Sequence, residues 1–197
     1  MTSRRILLAS GVLIALGVAA FAVTRGIERL MTPAQSPAME KPAAPAAAQV
    51  AHIRATLFFG AAAGDEYLMP AHREVPLADS VNEQGRQIVT AELQPPSPPL
   101  ISLIPAGTTL RNFYVTDRGD AFVDLSADVS LKHPGGSSTE LLTVYAIVNA
   151  VTANLPTVQR VQILIDGREA DTLAGHVDLR RPLQQDLSLS REETDSR

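Results

Sequence analysis

Two amphipathic helix patterns, each opened by the same Ser-x-x-Glu spacing, most constrain what this chain can fold into. The spacing occurs at 80–83 and again at 137–140, and it predicts a capping box at the start of each helix. An amphipathic helix has to bury its apolar stripe against another element. Because strand patterns precede and follow both helices, the sequence predicts an α+β fold, in which the two helices pack on one face of a small, mostly antiparallel sheet.

Turn and strand patterns fill in that sheet. Residues 110–116 and 121–126 flank a polar turn, which predicts a β-hairpin whose odd-numbered residues from 121 to 125 face the core. Asp166-Gly167 follows an apolar run and predicts a second hairpin, because a type I′ turn needs positive φ. The return strand is expected over 168–173, and its edge could recruit a partner by strand addition.

The second helix pattern is apolar on both sides. Leu142, Ile147 and Ala150 lie opposite the main stripe. This back face has two interpretations: it belongs to the core, covered by the sheet and the other helix, or it docks a second subunit. The interpretation as core is favoured, and self-association of the chain through this face stays open.

The N-terminal segment predicts a membrane helix. Residues 6–23 form an 18-residue apolar run that is interrupted only by one serine and two glycines. As a helix the run would span roughly 27 Å, close to the hydrocarbon core of a bilayer. Arg4 and Arg5 precede it, as is typical of a cytoplasmic start. A single-pass anchor in the inner (cytoplasmic) membrane is favoured over a signal peptide cleaved near Ala22, which would release a secreted or periplasmic protein.

Composition divides the chain into four parts. Residues 1–30 are the anchor or signal segment. Residues 31–50 are a linker, because a stretch with four prolines and seven alanines cannot build a core. This linker is either a semi-rigid stalk of about 55 Å or a disordered connection of no required length. The α/β domain is expected at 51–183, and a polar, flexible tail at 184–197.

Charge and cysteine content exclude several classes of protein and site. Residues 1–30 carry four arginines and one glutamate, so the remaining chain has 13 basic and 20 acidic residues. This balance argues against nucleic-acid binding, which needs a basic surface. The chain has no cysteine, which removes disulfides, thiolate metal sites, a cysteine nucleophile and a lipid-modified cysteine.

The remaining polar candidates have structural interpretations. The histidines are His52, His72, His133 and His176, and none lies three or four residues from another, so neither a metal site nor a cofactor is predicted. We expect His176 to hydrogen-bond locally in its turn and His133 to be solvated. The segment 135–138 could cradle an anion at the helix start, but helix capping is preferred there. The sequence has no Gly-x-Ser-x-Gly motif, and we predict that the chain is not an enzyme.

Six short pieces occur in order along the chain: IPAGT at 104–108, AFVDLS at 121–126, GGS at 135–137 followed by Glu140, YAIVN at 145–149, LIDG at 164–167 and LAGH at 173–176. Together they resemble the GerM-type (GerMN) domain of sporulation and spore germination proteins. The resemblance covers roughly residues 53–183. It marks as family-motif positions Pro105, Gly107, Asp124, Gly135, Gly136, Ser137, Glu140, Asn149, Asp166, Gly167, Gly175 and His176.

The resemblance implies an extracytoplasmic module related to the ring-building folds of envelope assemblies. With the membrane segment, it predicts a non-catalytic, membrane-tethered scaffold that binds an envelope or cell-wall-remodelling protein in envelope or sporulation-related assembly. The alternative is a peptidoglycan-binding or small-ligand-binding accessory of a cell-wall amidase, and a hydrolase is a third possibility.

Overall fold

The computed structural model describes residues 51–61 and 66–191. The predicted membrane segment at 6–23, the linker up to residue 50 and the last six residues lie outside this range, so those predictions stay predictions. Among the helices of the two described ranges, none combines the length and the apolar character that a bilayer crossing requires.

The described part alternates strands and helices in the predicted order, and the α+β class is confirmed. The elements are β1 (His52–Gly60), β2 (Leu68–Pro76), α1 (Val81–Glu92), β3 (Leu110–Val115), β4 (Asp120–Leu125), α2 (Asp128–Leu131), α3 (Ser137–Asn154), β5 (Arg160–Ile165), β6 (Arg168–Glu169), β7 (Leu183–Gln184) and a final 3₁₀ turn (Leu187–Leu189).

The strands form two sheets, where the sequence predicted one. β1 and β2 pair antiparallel as a two-stranded sheet. The second sheet has the order β3–β4–β5–β6, with β7 also on β5. Its strands β4 and β5 run parallel, because the connection through α2 and α3 is long enough to return the chain to the same end of the sheet. The other pairs are antiparallel, as expected.

The helix α3 is covered by both sheets. It contacts β1 of the first sheet and β5 of the second, as well as α1. Leu142, Ile147 and Ala150 are at most 5% exposed, so the apolar back face of α3 belongs to the core. Each large apolar side chain buried in this way stabilises the fold by roughly 1.5–3 kcal/mol.

Two side chains and the backbone of Ile101 satisfy the free edge of β1. The amide of Asn154 pairs with both the N–H and the C=O of Thr56, at 2.9 and 2.7 Å. The Phe58 N–H donates to Glu92 at 3.1 Å, and the Gly60 N–H donates to the Ile101 carbonyl at 2.9 Å. Burial raises the pKa of Glu92 well above its ordinary value. Another strand therefore cannot add to this edge.

The folded domain continues past residue 183. Within the predicted tail, Asn149 of α3 exchanges two hydrogen bonds with the backbone of Asp186, at 2.8 and 3.0 Å. The Arg191 N–H donates to the Leu68 carbonyl at 2.8 Å. Residues 184–191 are thus tied to the domain by polar contacts that a polar composition alone does not reveal.

Candidate functional site

The most densely hydrogen-bonded polar group described is the carboxylate of Glu140, near the start of α3. Glu140 is fully buried. It accepts hydrogen bonds from the backbone N–H groups of Leu173, Ala174 and His176 at 2.8–2.9 Å and of Val177 at 3.3 Å. The ring Nδ1 of His176 lies 3.0 Å from the same carboxylate. We call this arrangement, with the loop residues 173–177, the loop clamp.

The loop clamp corrects the predicted capping box at the start of α3. The N-cap is Gly136, at φ 90°, and no side chain caps the helix. Ser137 is the first helical residue, and Glu140 turns to the loop instead of the helix start. At the other Ser-x-x-Glu spacing, the hydroxyl of Ser80 does accept the Glu83 N–H at 3.2 Å, so the serine half of the predicted capping box forms at α1. The Glu83 carboxylate accepts a hydrogen bond from the Gln87 amide at 3.0 Å.

Electrostatics favour the charged form of Glu140 despite its burial. Burial by itself raises the pKa of the carboxyl. The hydrogen bonds from the loop amides and from His176 outweigh that effect and hold the pKa below its ordinary value. A carboxylate that accepts several backbone N–H groups is stabilised in this way. Glu140 is therefore an anionic anchor for the loop.

The two histidines near the clamp also differ from prediction. The His176 ring bonds Glu140 and does not bond within its own turn. His133 is partly buried: its Nδ1 accepts the Gly135 N–H at 3.0 Å, and its Nε2 lies 3.1 Å from the Thr143 hydroxyl. Burial lowers the pKa of His133, and the charge of Glu140 opposes that shift.

A second group of motif residues lies on the face of the larger sheet that points away from the core. There Tyr114 pairs with Phe122, and Asn112 pairs with Asp124. With Leu164 of β5 these residues line a cleft of about 590 Å³, which we call the outer cleft. Its remaining lining comes from Thr116, Gly167 and Phe113, although the Phe113 ring packs on the other side of the sheet, against Gly85 of α1. Tyr114 is 53% exposed, so the aromatic surface faces solvent.

One carboxylate of the outer cleft is buried but only partly neutralised. Asp124 is 9% exposed and accepts the Gly167 N–H at 2.7 Å. Its cationic neighbour, Arg111, lies 3.5 Å away, and the Arg111 guanidinium forms a closer pair with Asp166 at 2.5 Å. Two carboxylates thus share one guanidinium at this end of the cleft.

The Asp166-Gly167 turn has the predicted geometry. Both residues have positive φ, 51° and 77°, and they join β5 to β6 in an antiparallel hairpin. The return strand is shorter than predicted, only Arg168–Glu169. After it the chain leaves the sheet edge for the loop that Glu140 holds, so the strand edge expected over 168–173 does not form.

The other motif residues shape the backbone. The Pro105 carbonyl accepts the N–H and the hydroxyl of Thr108, at 3.2 and 2.7 Å. Gly107 and Gly175 have φ of 90° and 102°, a region that disfavours residues with a Cβ. Asn149 holds Asp186, as described above. These positions therefore form turns and ties away from the outer cleft.

The structure divides the twelve motif positions between fold and surface. Asp124 and Gly167 reach the outer cleft, whereas Glu140, Gly175 and His176 belong to the loop clamp. Among residues 51–61 and 66–191, no three His, Asp or Glu side chains come together in a way that could hold a metal ion. Sequence reasoning missed Arg111, Tyr114 and Phe122. Strand alternation could have identified Phe122, because a residue between inward-facing Ala121 and Val123 points to the outer face of the sheet.

Comparison with known proteins places this geometry in a family. A family model described as Germane, sporulation and spore germination, matches residues 56–171, which include both the outer cleft and Glu140. No curated protein matches the chain.

Three solved structures share the fold. A candidate lipoprotein from Clostridium perfringens is 22% identical, with 73% of this chain and 95% of that chain covered and a TM-score of 0.50. The first GerMN domain of the sporulation protein GerM from Bacillus subtilis is 18% identical, with 67% and 97% covered and a TM-score of 0.51. The tandem GerMN domains of that protein give 18% identity, 70% and 46% coverage and a TM-score of 0.50.

Proposed function

We propose, because the chain belongs to the Germane family of sporulation and spore germination, that it is a non-catalytic interaction module of the cell envelope. In this proposal the domain presents a rigid surface to an envelope or cell-wall-remodelling protein. The family membership and the predicted membrane anchor support a location in the cell envelope. The outer cleft is the surface that would contact the partner.

The observation that carries the proposal is the contrast between the two faces of the larger sheet. The inner face buries Phe113, Val123 and Ile163 at no more than 3% exposure. The outer face leaves Tyr114 half exposed beside Phe122 and Leu164. An aromatic cleft on the exposed face of a braced sheet is typical of a recognition surface.

The proposed location follows from the N-terminal sequence. The apolar run at 6–23 would anchor the chain in the cytoplasmic membrane, with the linker holding the domain outside. The similar fold of a candidate lipoprotein from Clostridium perfringens supports an envelope setting. The alternative, an accessory that binds peptidoglycan or a small ligand for a wall amidase, would use the same cleft, whose volume of about 590 Å³ is in the range of small-ligand sites.

Site-directed photo-crosslinking tests the proposal in cells that express the full chain. A photoreactive phenylalanine analogue replaces Tyr114 in one variant and Leu131, which is 80% exposed on α2, in a matched control. We expect a discrete adduct with an envelope protein from position 114 and none from position 131. Equal labelling from both positions, or none from either, would contradict the proposed surface.

A pulldown separates the alternatives. If isolated peptidoglycan retains the full chain, and the Tyr114→Ala variant is not retained, the accessory role is favoured. Turnover of a wall substrate by the purified chain would overturn the non-catalytic proposal.

A further inference from the structure

We propose that the outer cleft recognises a basic side chain, arginine or lysine, of the envelope partner. This inference rests on the proposed interaction function and adds the chemistry of the partner. It depends on three properties of the cleft: its aromatic wall, its incompletely neutralised carboxylate and its apolar floor.

The aromatic wall suits a cation. Tyr114 and Phe122 are cross-strand neighbours on the outer face, and both line the cleft. The face of an aromatic ring attracts a guanidinium or ammonium group through its quadrupole. Because Tyr114 is more than half exposed, its ring is open to such a partner group.

The carboxylate of Asp124 supplies the charge that a cation would complement. It accepts one backbone N–H, from Gly167. Its only cationic contact among the described residues, Arg111 at 3.5 Å, is shared with Asp166, which lies closer to the guanidinium. A buried carboxylate is costly unless it is paired. An incoming cation would give Asp124 a partner of its own. An anionic ligand at this end of the cleft would meet two carboxylates that already share Arg111, and the Arg86 guanidinium near the cleft is bonded to Asn112 at 3.1 Å.

The apolar floor explains why a long basic side chain fits better than a free cation. Phe122 and Leu164 lie next to Asp124 in the lining of the cleft, and Asp124 is opposite Leu164 in the strand register. Arginine and lysine bury their methylene stems on apolar surface and keep the charged end at a polar group. A side chain lying across Phe122 and Leu164 would bring its charge to Asp124.

The test uses the full chain and two peptides that carry fluorescein at the N-terminus, fluorescein-Ala-Leu-Arg-Leu-Ala-amide and its twin with neutral citrulline in place of arginine. Citrulline keeps the shape and loses the charge. Fluorescence anisotropy should show roughly tenfold tighter binding of the arginine peptide. Asp124→Asn should remove the difference between the peptides. Asp178→Asn, at an exposed carboxylate paired with Arg180, should preserve it.

A further variant tests the aromatic wall. Tyr114→Leu keeps an apolar surface without a ring, and it should weaken arginine binding about threefold and citrulline binding less. Equal binding of the two peptides, or a preference that survives Asp124→Asn, would overturn the inference. If an envelope protein still crosslinks at position 114 after such a result, the interaction function stands and only the cation chemistry fails. If the arginine peptide binds as expected but position 114 gives no crosslink, the cleft binds basic side chains and the proposed interaction with an envelope protein fails.

Discussion

Glu140 and Asp124 are both buried carboxylates at family-motif positions, yet their surroundings differ. Glu140 accepts four backbone N–H groups and contacts the His176 ring. Asp124 accepts one N–H and shares a guanidinium with Asp166. The Glu140 carboxylate joins α3 to the loop 173–177 inside the fold. Asp124 lies in the lining of an open cleft.

The difference shows that burial of a charged group does not by itself indicate its role. What distinguishes the two positions is how fully the chain satisfies each carboxylate. The hydrogen bonds that Glu140 accepts are all internal to the domain, so it serves the fold. Asp124 is left with capacity for another donor beside exposed aromatic rings, so it is suited to a partner.

The largest expected effect is that of Glu140→Gln. Glutamine has one acceptor oxygen in place of two and carries no charge, so several of the loop N–H groups lose their partner. We expect the free energy of unfolding to fall by about 3 kcal/mol, since charge-assisted hydrogen bonds in a buried site are lost together. Urea denaturation of the full chain at pH 7.5 measures this. Unchanged stability would mean that the loop clamp does not brace the domain.

A smaller loss of stability is expected when a second hydrogen bond to the same loop is removed. The Ser130 hydroxyl donates to the Leu173 carbonyl at 2.6 Å. Ser130→Ala should cost about 1 kcal/mol and speed amide exchange at residues 173–177. Ser102→Ala, which removes a hydroxyl bonded to the Ile104 carbonyl outside the loop, is the control. If both variants speed amide exchange in the loop equally, the Ser130 hydrogen bond does not specifically hold the loop in place.

The burial of His133 predicts a pH dependence of stability. Burial lowers the pKa of His133 from its ordinary value of 6.5, so the unfolded chain takes up this proton first as pH falls. The contribution of neutral His133 is therefore complete above pH 6.5 and is lost at lower pH. We expect His133 to contribute a small loss of unfolding free energy between pH 7.5 and 5, because it is only partly buried. The raised pKa of Glu92 acts in the opposite direction, since the folded chain takes up that proton first, so the His133 contribution has to be measured against a variant that lacks the imidazole.

His133→Asn isolates this contribution. The asparagine oxygen can accept the Gly135 N–H that now bonds Nδ1, but it does not titrate. When the pH falls from 7.5 to 5, the free energy of unfolding should therefore change less unfavourably in the variant than in the wild type, because Glu92 contributes equally to both. An identical pH profile in the two proteins would assign the acid sensitivity to other groups.

Much of the fold could be predicted because it depends on local chemistry. The Asp166-Gly167 turn and the Ser80 cap need only neighbouring residues, and both form where the sequence places them. The inward positions of β4 follow from strand alternation in the same way. These features carry their signal within a few residues of the chain.

The parts that could not be predicted depend on contacts between distant residues. The Ser-x-x-Glu spacing is the same at both helices, but at α3 two glycines with positive φ start the helix, and Glu140 is captured by a loop more than thirty residues further along the chain. The parallel pairing of β4 with β5 is equally non-local. So is the outer cleft, since Leu164 joins Tyr114 and Phe122 only after the sheet assembles.

The most direct measurement is the free energy of unfolding of Asp124→Asn, determined by urea denaturation beside Glu140→Gln. Asparagine keeps an oxygen that can accept the Gly167 N–H, so we expect a change of about 0.5 kcal/mol or less. That result would show that the domain folds without the charge in the outer cleft. A loss approaching that of Glu140→Gln would contradict it, because Asp124 would then be a structural brace and not a group available to a partner.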